Sequence, residues 1–370
     1  MRVLLVLFLC ISCSKFVELT DTKYHDEISQ EGATGLSLFF SHNINGETHP
    51  CGCRQFPLGG MAQVNGILRS EEKKAPSYYV DSGDTLFEVT TLPDFIKTSA
   101  EFKARKIAEG LDKLELKLFT PGDQDFALGE KFLTEISHKH NFEFLITNSS
   151  PKMKIKHKKY HYLKINNRNI IFLGIINPEL LKAQDRTLLE SPELALKKQI
   201  NVINQELKEI KDKTFILLSH SGLEYDKKLA TTFPNFSWII GSHTQSYLRF
   251  TQDIGKVKIV QVLSRNHYLG KISIPFNSNS EEKYELIETR DETKDLIKKN
   301  PMITWLDKYK AELEKINLSE QDSLAEYTPS QRKVTYISCS DCHQAQVDFW
   351  QETPHSLSLI HISEPTRLGM

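Results

Sequence analysis

The feature that most constrains the fold is a regular alternation of short apolar runs and longer amphipathic runs between residues 36 and 275. Each apolar run is rich in Ile, Leu, Val or aromatic residues and is short enough to be a buried strand. The predicted strands are Leu36–Ser41, Tyr78–Asp81, Phe142–Thr147, Asn169–Ile176, Thr214–Ser219, Ser237–Gly241, Lys256–Val262 and Tyr268–Ile274. Amphipathic patterns at Glu101–Leu114 and Pro192–Lys211 predict helices between them. Strands that alternate with helices indicate an α/β layered architecture.

The balance of charge limits the classes of partner. Among 370 residues, Lys and Arg total 47 and Asp and Glu total 48, with the two signs interspersed. Such a chain has no extended basic surface for a polyanion, so we expect no nucleic-acid binding. His138, His140, His157 and His161 lie among lysines and are predicted to be solvated.

Polar and charged residues follow several predicted strands at the point where each strand ends. They form the segments Asp81–Asp84, Gly122–Asp125, His220 and Gly241–Gln245. In open α/β sheets, ligands bind at the carboxyl ends of the strands. Carboxylates and imidazoles gathered at that edge therefore predict a metal site.

The order of these motifs resembles that of the metallophosphoesterase superfamily, and specifically its 5′-nucleotidase-like branch. The resemblance implies a four-layer α/β/β/α sandwich over residues 36–280 and a centre of two metals bridged by an Asp. Asp84 matches the bridging position, Asp123 replaces the usual Asn, and His220 and His243 match two ligand histidines. The resemblance thus implies one intact site, Asp84, Asp123, His220 and His243, for a divalent transition metal such as zinc, manganese or iron, with a small anionic ligand.

The other half of the implied centre departs from the pattern of that superfamily. Asn43-Ile44-Asn45 replaces D-x-H, Gln245 replaces the last His of G-H-x-H, and Gln124 replaces the His credited with catalysis. Neutral amides bind divalent metals weakly and carry no titratable proton. Efficient two-metal hydrolysis is therefore not expected, and whether the domain is an enzyme stays open.

Cys51 and Cys53 lie directly after the altered first motif, in the segment THPCGCRQFPLGG. Their thiols could rebuild the site with soft ligands, bind another metal, or act as a redox pair. The alternative is a structural turn with inert or mutually oxidised cysteines. The spacing does not decide among these.

A c-type haem motif, C-x-x-C-H, occurs near the end of the chain. It predicts haem c attached to Cys339 and Cys342, with His343 as an iron ligand. The following W-x-x-T-P-H resembles a repeating unit of multihaem cytochromes, which implies that His355 ligates a neighbouring haem. Residues 332–356 are then the start of a truncated, mostly irregular or helical cytochrome c domain. A small zinc site or an inert redox pair is the alternative.

The N-terminal segment predicts export. Arg2 precedes an apolar run, and Cys10-Ile11-Ser12-Cys13 resembles a bacterial lipobox. We expect residues 1–13 to be a lipoprotein signal peptide, Cys13 to carry the lipid, and residues 14–35 to be a tether. An ordinary cleaved signal peptide is the alternative. The mature protein would lie in the periplasm or at the cell surface, anchored to the membrane by its lipid.

Two further segments complete the expected organisation. Residues 281–331 are charged, and a stripe at Trp305, Leu306, Tyr309, Leu313 and Ile316 predicts a helical linker. Residues 357–370 contain LSLIHISEPTR, which resembles the translation of a transposase-type sequencing adapter, so we expect this segment to be non-native.

Together these features predict an exported lipoprotein cytochrome c with a partly degenerate metallophosphatase-like domain, acting in electron transfer with a redox partner protein. The alternative is a metal-dependent hydrolase of phosphoesters or a related oxyanion ester, with a mononuclear or cysteine-rebuilt site.

Overall fold

The computed structural model describes residues 26–28, 32–51, 56–277, 279–326 and 347–350. The chain divides into two units, Met1–Glu320 and Gln321–Met370. The first unit contains both sheets and the candidate site. In the second, the described residues are the end of one helix and a helical turn at 347–350.

Two mixed seven-stranded sheets form the centre of the first unit. Sheet 1 has the order β14-β13-β2-β3-β4-β5-β6, and sheet 2 has the order β1-β7-β8-β9-β10-β12-β11. The strands are β1 Asp26–Ile28, β2 Gly35–Ser41, β3 Ser77–Asp81, β4 Leu116–Phe119, β5 Glu143–Leu145, β6 His157–Lys158, β7 His161–Ile165, β8 Arg168–Ile176, β9 Lys213–His220, β10 Phe236–Gly241, β11 Gln252–Ile254, β12 Val257–Val260, β13 Tyr268–Pro275 and β14 Lys283–Glu288. Strands β2 to β6 are parallel, as are β8, β9, β10 and β12. Among them, β8 and β9 are buried on both faces, which explains their nearly continuous apolar sequences.

Helices cover the outer face of each sheet. They are α1 Met61–Glu71, α2 Lys97–Lys113, α3 Gly129–Lys139, α4 Pro192–Glu206, α5 Leu223–Thr232 and α6 Pro301–Glu326. One hydrophobic cluster joins sheet 1 to α1, α2, α3 and the start of α6, and another joins sheet 2 to α4 and α5. Between the sheets, Phe40 and Tyr78 of sheet 1 share a cluster with Phe172 and Trp238 of sheet 2. The predicted four-layer α/β/β/α sandwich is confirmed.

The sheet continues beyond residue 280, where the sequence predicts a helical linker. β14 pairs with β13 in an antiparallel ladder from Tyr268↔Glu288 to Ser273↔Lys283. Its alternating pattern explains the pairing, because Tyr284 and Leu286 pack on the inter-sheet cluster. The predicted stripe on α6 also packs on the domain, with Leu306 and Tyr309 buried beside sheet 1.

The histidines predicted to be solvated include two that are not. The His161 side chain is buried, where its Nδ1 lies 2.9 Å from Glu143 Oε2 and its Nε2 lies 2.9 Å from Tyr78 Oη. The His140 side chain is only 4% exposed and its Nδ1 lies 2.6 Å from Asp112 Oδ2. The prediction is wrong here because carboxylates distant in sequence compensate the burial of both rings.

Several predictions fall on residues outside the described ranges. They are the lipidated Cys13, the haem residues Cys339, Cys342, His343 and His355, the cysteine Cys53, and the segment 357–370. Within the described ranges, no helix combines the length and apolar composition needed to cross a membrane.

Candidate metal centre

The four residues expected to hold a metal converge at the carboxyl edge of the two sheets. Asp84 follows β3 and Asp123 follows β4 in sheet 1, whereas His220 ends β9 and His243 follows β10 in sheet 2. One ligand atom from each residue lies within 4.8 Å of the others. The structure therefore assembles, from four strand ends, the O₂N₂ set that a divalent transition metal prefers.

The distances within this cluster fit a single ion. His220 Nε2 lies 3.0 Å from Asp123 Oδ1 and 3.4 Å from Asp84 Oδ1, and His243 Nδ1 lies 3.1 Å from Asp123 Oδ1. Ligand atoms around a tetrahedral ion with bonds of about 2.1 Å lie about 3.4 Å apart. Space for the cluster depends on Gly122, because a Cβ there would overlap Asp84 Oδ1 and His220 Cε1.

The protonation of His220 and Asp123 shows how strongly these groups interact. Burial lowers the pKa of His220, but the charge of Asp84 and the hydrogen bond with Asp123 outweigh it and raise the pKa well above 6.5. Burial raises the pKa of Asp123, but hydrogen bonds with His220 and His243 hold that pKa well below its usual range. Both pKa shifts favour an imidazolium beside ionised carboxylates when no metal is bound. A metal ion at the cluster would replace the imidazolium proton.

Groups around His220 orient its ring. Its Nδ1 lies 2.9 Å from the Ser82 carbonyl oxygen and 2.8 Å from Ser242 Oγ. Because a carbonyl oxygen only accepts hydrogen bonds, Nδ1 carries a proton and Nε2 faces the carboxylates. His220 is fully buried, whereas the His243 side chain is 33% exposed, so the site opens to solvent beside His243.

Asp125 holds the loops that carry the two carboxylates. Its side chain accepts backbone N–H groups from Asp84 and Gly122 through Oδ2 and from Thr85 and Leu86 through Oδ1, at 2.7 to 2.9 Å. Burial, together with the nearby Asp84 charge, raises the pKa of Asp125 to about 7. The sequence places this residue within a predicted site segment, but only the structure reveals its role.

The backbone of the site is held in the left-handed region. Asn43, Asn45, Asp84, His243 and Gln245 have φ angles from 49° to 73°. These angles are energetically unfavourable for residues other than glycine, and residues that adopt them cluster at functional sites. The surrounding fold therefore fixes the positions of these side chains before any ligand binds.

The amides of the altered half lie against the same cluster. Asn43 Nδ2 donates to Asp84 Oδ2 at 3.0 Å, and the Gln124 backbone N–H donates to Asp84 Oδ1 at 3.0 Å. The Gln124 side chain satisfies its neighbours when its nitrogen donates to Phe87 O at 2.8 Å and Asn45 Oδ1 at 3.1 Å. Of these neutral side chains, the Asn43 amide contacts Asp84, at a position where the resemblance implies a further metal ligand.

Cys51 does not belong to the four-residue cluster. Its thiol is free and accepts the Leu58 backbone N–H at 3.3 Å.

Several solved structures share this fold. The 5′-nucleotidase precursor of Thermus thermophilus matches with a TM-score of 0.59 and 17% identity, over 70% of this chain and 55% of that one. The sulfate thiohydrolase SoxB, also of Thermus thermophilus, matches with a TM-score of 0.59 and 14% identity, over 74% of this chain and 60% of that one. The calcineurin-like phosphoesterase YfkN of Bacillus subtilis matches with a TM-score of 0.56 and 16% identity, over 75% of this chain and 99% of that one.

The similarity lies in the fold and not in the sequence. No protein-family model matches the chain, and no curated protein matches it. The chain spans little more than half the length of the first two proteins. The two packed sheets and their outer helices nevertheless follow one common architecture. The first unit of the chain has the α/β fold of the 5′-nucleotidase-like metallophosphoesterases.

Proposed function

We propose that the domain is a metal-dependent hydrolase that cleaves a phosphoester or a related oxyanion ester at a mononuclear centre. The observation that carries this proposal is the cluster of Asp84, Asp123, His220 and His243 at the carboxyl edge of both sheets. A preassembled set of two carboxylates and two imidazoles, with one imidazole open to solvent, suits an ion that must meet a substrate.

The residues around such an ion would have different roles in binding and catalysis. Asp84, Asp123, His220 and His243 would hold a zinc, manganese or iron ion, which would supply Lewis-acid polarisation of the ester's oxyanion group. Asp123 also orients His243 at the solvent-facing side, where a substrate would enter. Gln124 occupies a position next to Asp84 but has no proton to give to a leaving group.

Metal analysis tests this proposal on the purified full chain. We expect one transition metal per chain and hydrolysis of an aryl phosphate or a thiosulfate ester that depends on it. Asp84→Ala and His220→Ala should each release the metal and abolish turnover. Glu224→Ala, an exposed carboxylate on α5, should retain both. A chain that binds no metal, or one whose occupancy survives both ligand substitutions, would overturn the assignment.

The second candidate function is electron transfer by an exported c-type cytochrome. It is favoured by Cys339, Cys342 and His343, which form the haem attachment motif, with His355 as a further ligand. In this proposal Cys13 anchors the protein to a membrane, and a redox partner protein exchanges electrons with the haem in the periplasm or at the cell surface. Expression with haem-maturation machinery should give a covalent haem band that Cys339→Ser removes; absence of the band would exclude this function.

A further inference from the structure

The orientation of the Asn43 amide is fixed by groups on both of its sides. The Val262 backbone N–H donates to His42 Nε2 at 2.8 Å. A backbone N–H can only donate, so Nε2 is an unprotonated acceptor and the neutral ring carries its proton on Nδ1. That Nδ1–H then donates to Asn43 Oδ1 at 2.8 Å.

A second donor meets the same oxygen. The His243 backbone N–H donates to Asn43 Oδ1 at 3.1 Å. With two donors on one side, the amide oxygen must face them, and the amide nitrogen must face away. It faces Asp84, where Nδ2 donates to Oδ2 at 3.0 Å. His42, Asn43 and Asp84 therefore form a relay whose donors and acceptors allow one arrangement only.

This relay gives the two carboxylate oxygens of Asp84 different partners. Oδ1 faces the metal cluster, 3.4 Å from His220 Nε2, whereas Oδ2 is bonded to the Asn43 amide. A carboxylate that bridges two cations needs its outer face free for the second one. Here an N–H group, which has no lone pair to give and carries positive partial charge, lies on that face. Both Asn43 and His42 are fully buried, so the relay is not an exposed, exchangeable contact.

We infer that the Asn43 amide nitrogen, held by His42, takes the place of a second cation on Asp84 and restricts the centre to one metal ion. This inference rests on the proposed metal centre and adds the reason for its stoichiometry. His42 and Asn43 are positioning residues, since they act through Asp84.

The direct test is metal stoichiometry in the full chain, measured by mass spectrometry after equilibration with manganese or zinc and removal of unbound ions. The wild type should bind one ion. Asn43→Asp should bind two, because it replaces the donor with a carboxylate oxygen, and Asp tolerates the left-handed backbone at this position. Two ions in the wild type, or one in Asn43→Asp, would overturn the inference. A chain with no ion at all would instead overturn the proposed function.

A matched control separates this effect from the mere addition of charge at the sheet edge. Asn177 follows β8; its N–H donates to the His220 carbonyl oxygen and its Oδ1 accepts the Glu179 N–H at 3.1 Å. Asn177→Asp keeps that cap and should still bind one ion. A second ion in this control would show that any added carboxylate recruits metal, which contradicts the specific role of Asn43.

Affinity measurements keep the inference testable if Asn43→Asp fails to fold. His42→Leu breaks the relay and should weaken binding of the single ion about 10-fold or more in competition with a chelator. His42→Gln retains a donor for Asn43 and an acceptor for Val262, and should recover part of that loss. Equal affinities for the wild type and His42→Leu, or for the two variants, would show that the relay does not position Asp84.

Discussion

Asp125 Oδ2 accepts the backbone N–H of Asp84 at 2.9 Å. The same carboxylate accepts the N–H groups of Gly122, Thr85 and Leu86, so one buried side chain closes the loops after β3 and β4. Both carboxylates of the proposed metal centre lie on these loops. The position of the centre thus depends on a residue outside the cluster itself.

Removal of this carboxylate should destabilise the domain and the centre together. Asp125→Ala leaves several buried N–H groups without partners, each at a cost of about 1–3 kcal/mol, so we expect a loss of at least about 3 kcal/mol. Urea unfolding of the metal-free protein measures it. Asp253→Ala on β11, at an exposed acidic residue, should change the free energy by less than about 0.5 kcal/mol. Equal stability of the two variants would contradict the role of Asp125.

Gly122→Ala should weaken metal binding and also destabilise the fold, because its Cβ would overlap the Asp84 backbone nitrogen. The added Cβ would overlap Asp84 Oδ1 and His220 Cε1, so these ligands must separate. We expect at least about a 10-fold loss of metal affinity in chelator competition. Gly255→Ala places a Cβ in open space and should keep its metal affinity, although its positive φ should lower stability by about 1–2 kcal/mol. Wild-type affinity in Gly122→Ala would mean that the cluster has more room than the structure shows.

The chemistry of Gln124 predicts a preference for good leaving groups. Without a general acid, an alkoxide or phenoxide must leave without receiving a proton. For a basic leaving group this lowers the rate of hydrolysis about 100-fold or more. We expect 4-nitrophenyl phosphate to be cleaved at least about 100-fold faster than phenyl phosphate. Gln124→His should narrow this ratio, whereas Gln252→His on β11 should not. A ratio near one in the wild type would reveal a proton donor elsewhere.

Stability should fall with rising pH because of Asp226. Burial raises the pKa of this carboxyl to about 7, although Ser219 and Ser221 donate to it. The unfolded chain loses the proton near pH 4 and the folded chain near pH 7. Between these values the unfolded state binds fewer protons, so the free energy of unfolding decreases as pH rises.

The comparison with Asp226→Asn isolates this contribution. The amide cannot ionise, so the variant should gain stability relative to the wild type from about pH 4 to about pH 7, by about 1.4 kcal/mol for each unit of raised pKa. Urea unfolding with a chelator present, at several pH values, gives the difference. Parallel curves for the two proteins would show that the Asp226 carboxyl is not protonated in the folded state.

The strands that the sequence predicts most clearly are those that are buried on both faces. β8 and β9 are covered on both faces, so their apolar runs stand out clearly. β14 escapes prediction because its pattern, KYELIE, alternates at the sheet edge and resembles that of a charged helix. β6 has two residues, too few for any periodic signal.

The residues of the candidate site also fall into those that the sequence predicts and those that it does not. Asp84, Asp123, His220 and His243 stand beside strand ends, and a rule about sheet edges is enough to group them. The roles of Asp125 and His42 depend on backbone N–H groups up to 220 residues away in sequence, at Val262. A hydrogen bond between distant segments leaves no trace in the spacing of residues. The same reason explains the buried His161, whose partner Glu143 lies on another sheet.

The proposed metal ligands come in equal parts from the two sheets: two carboxylates from sheet 1 and two imidazoles from sheet 2. An ion bound to all of them cross-links the two sheets at the rim of the sandwich. Its affinity therefore reports how well the core between the sheets is packed. A truncation within that core, such as Phe172→Ala, should therefore weaken metal binding at the rim. A chelator titration would then measure how well the whole interface between the sheets is packed.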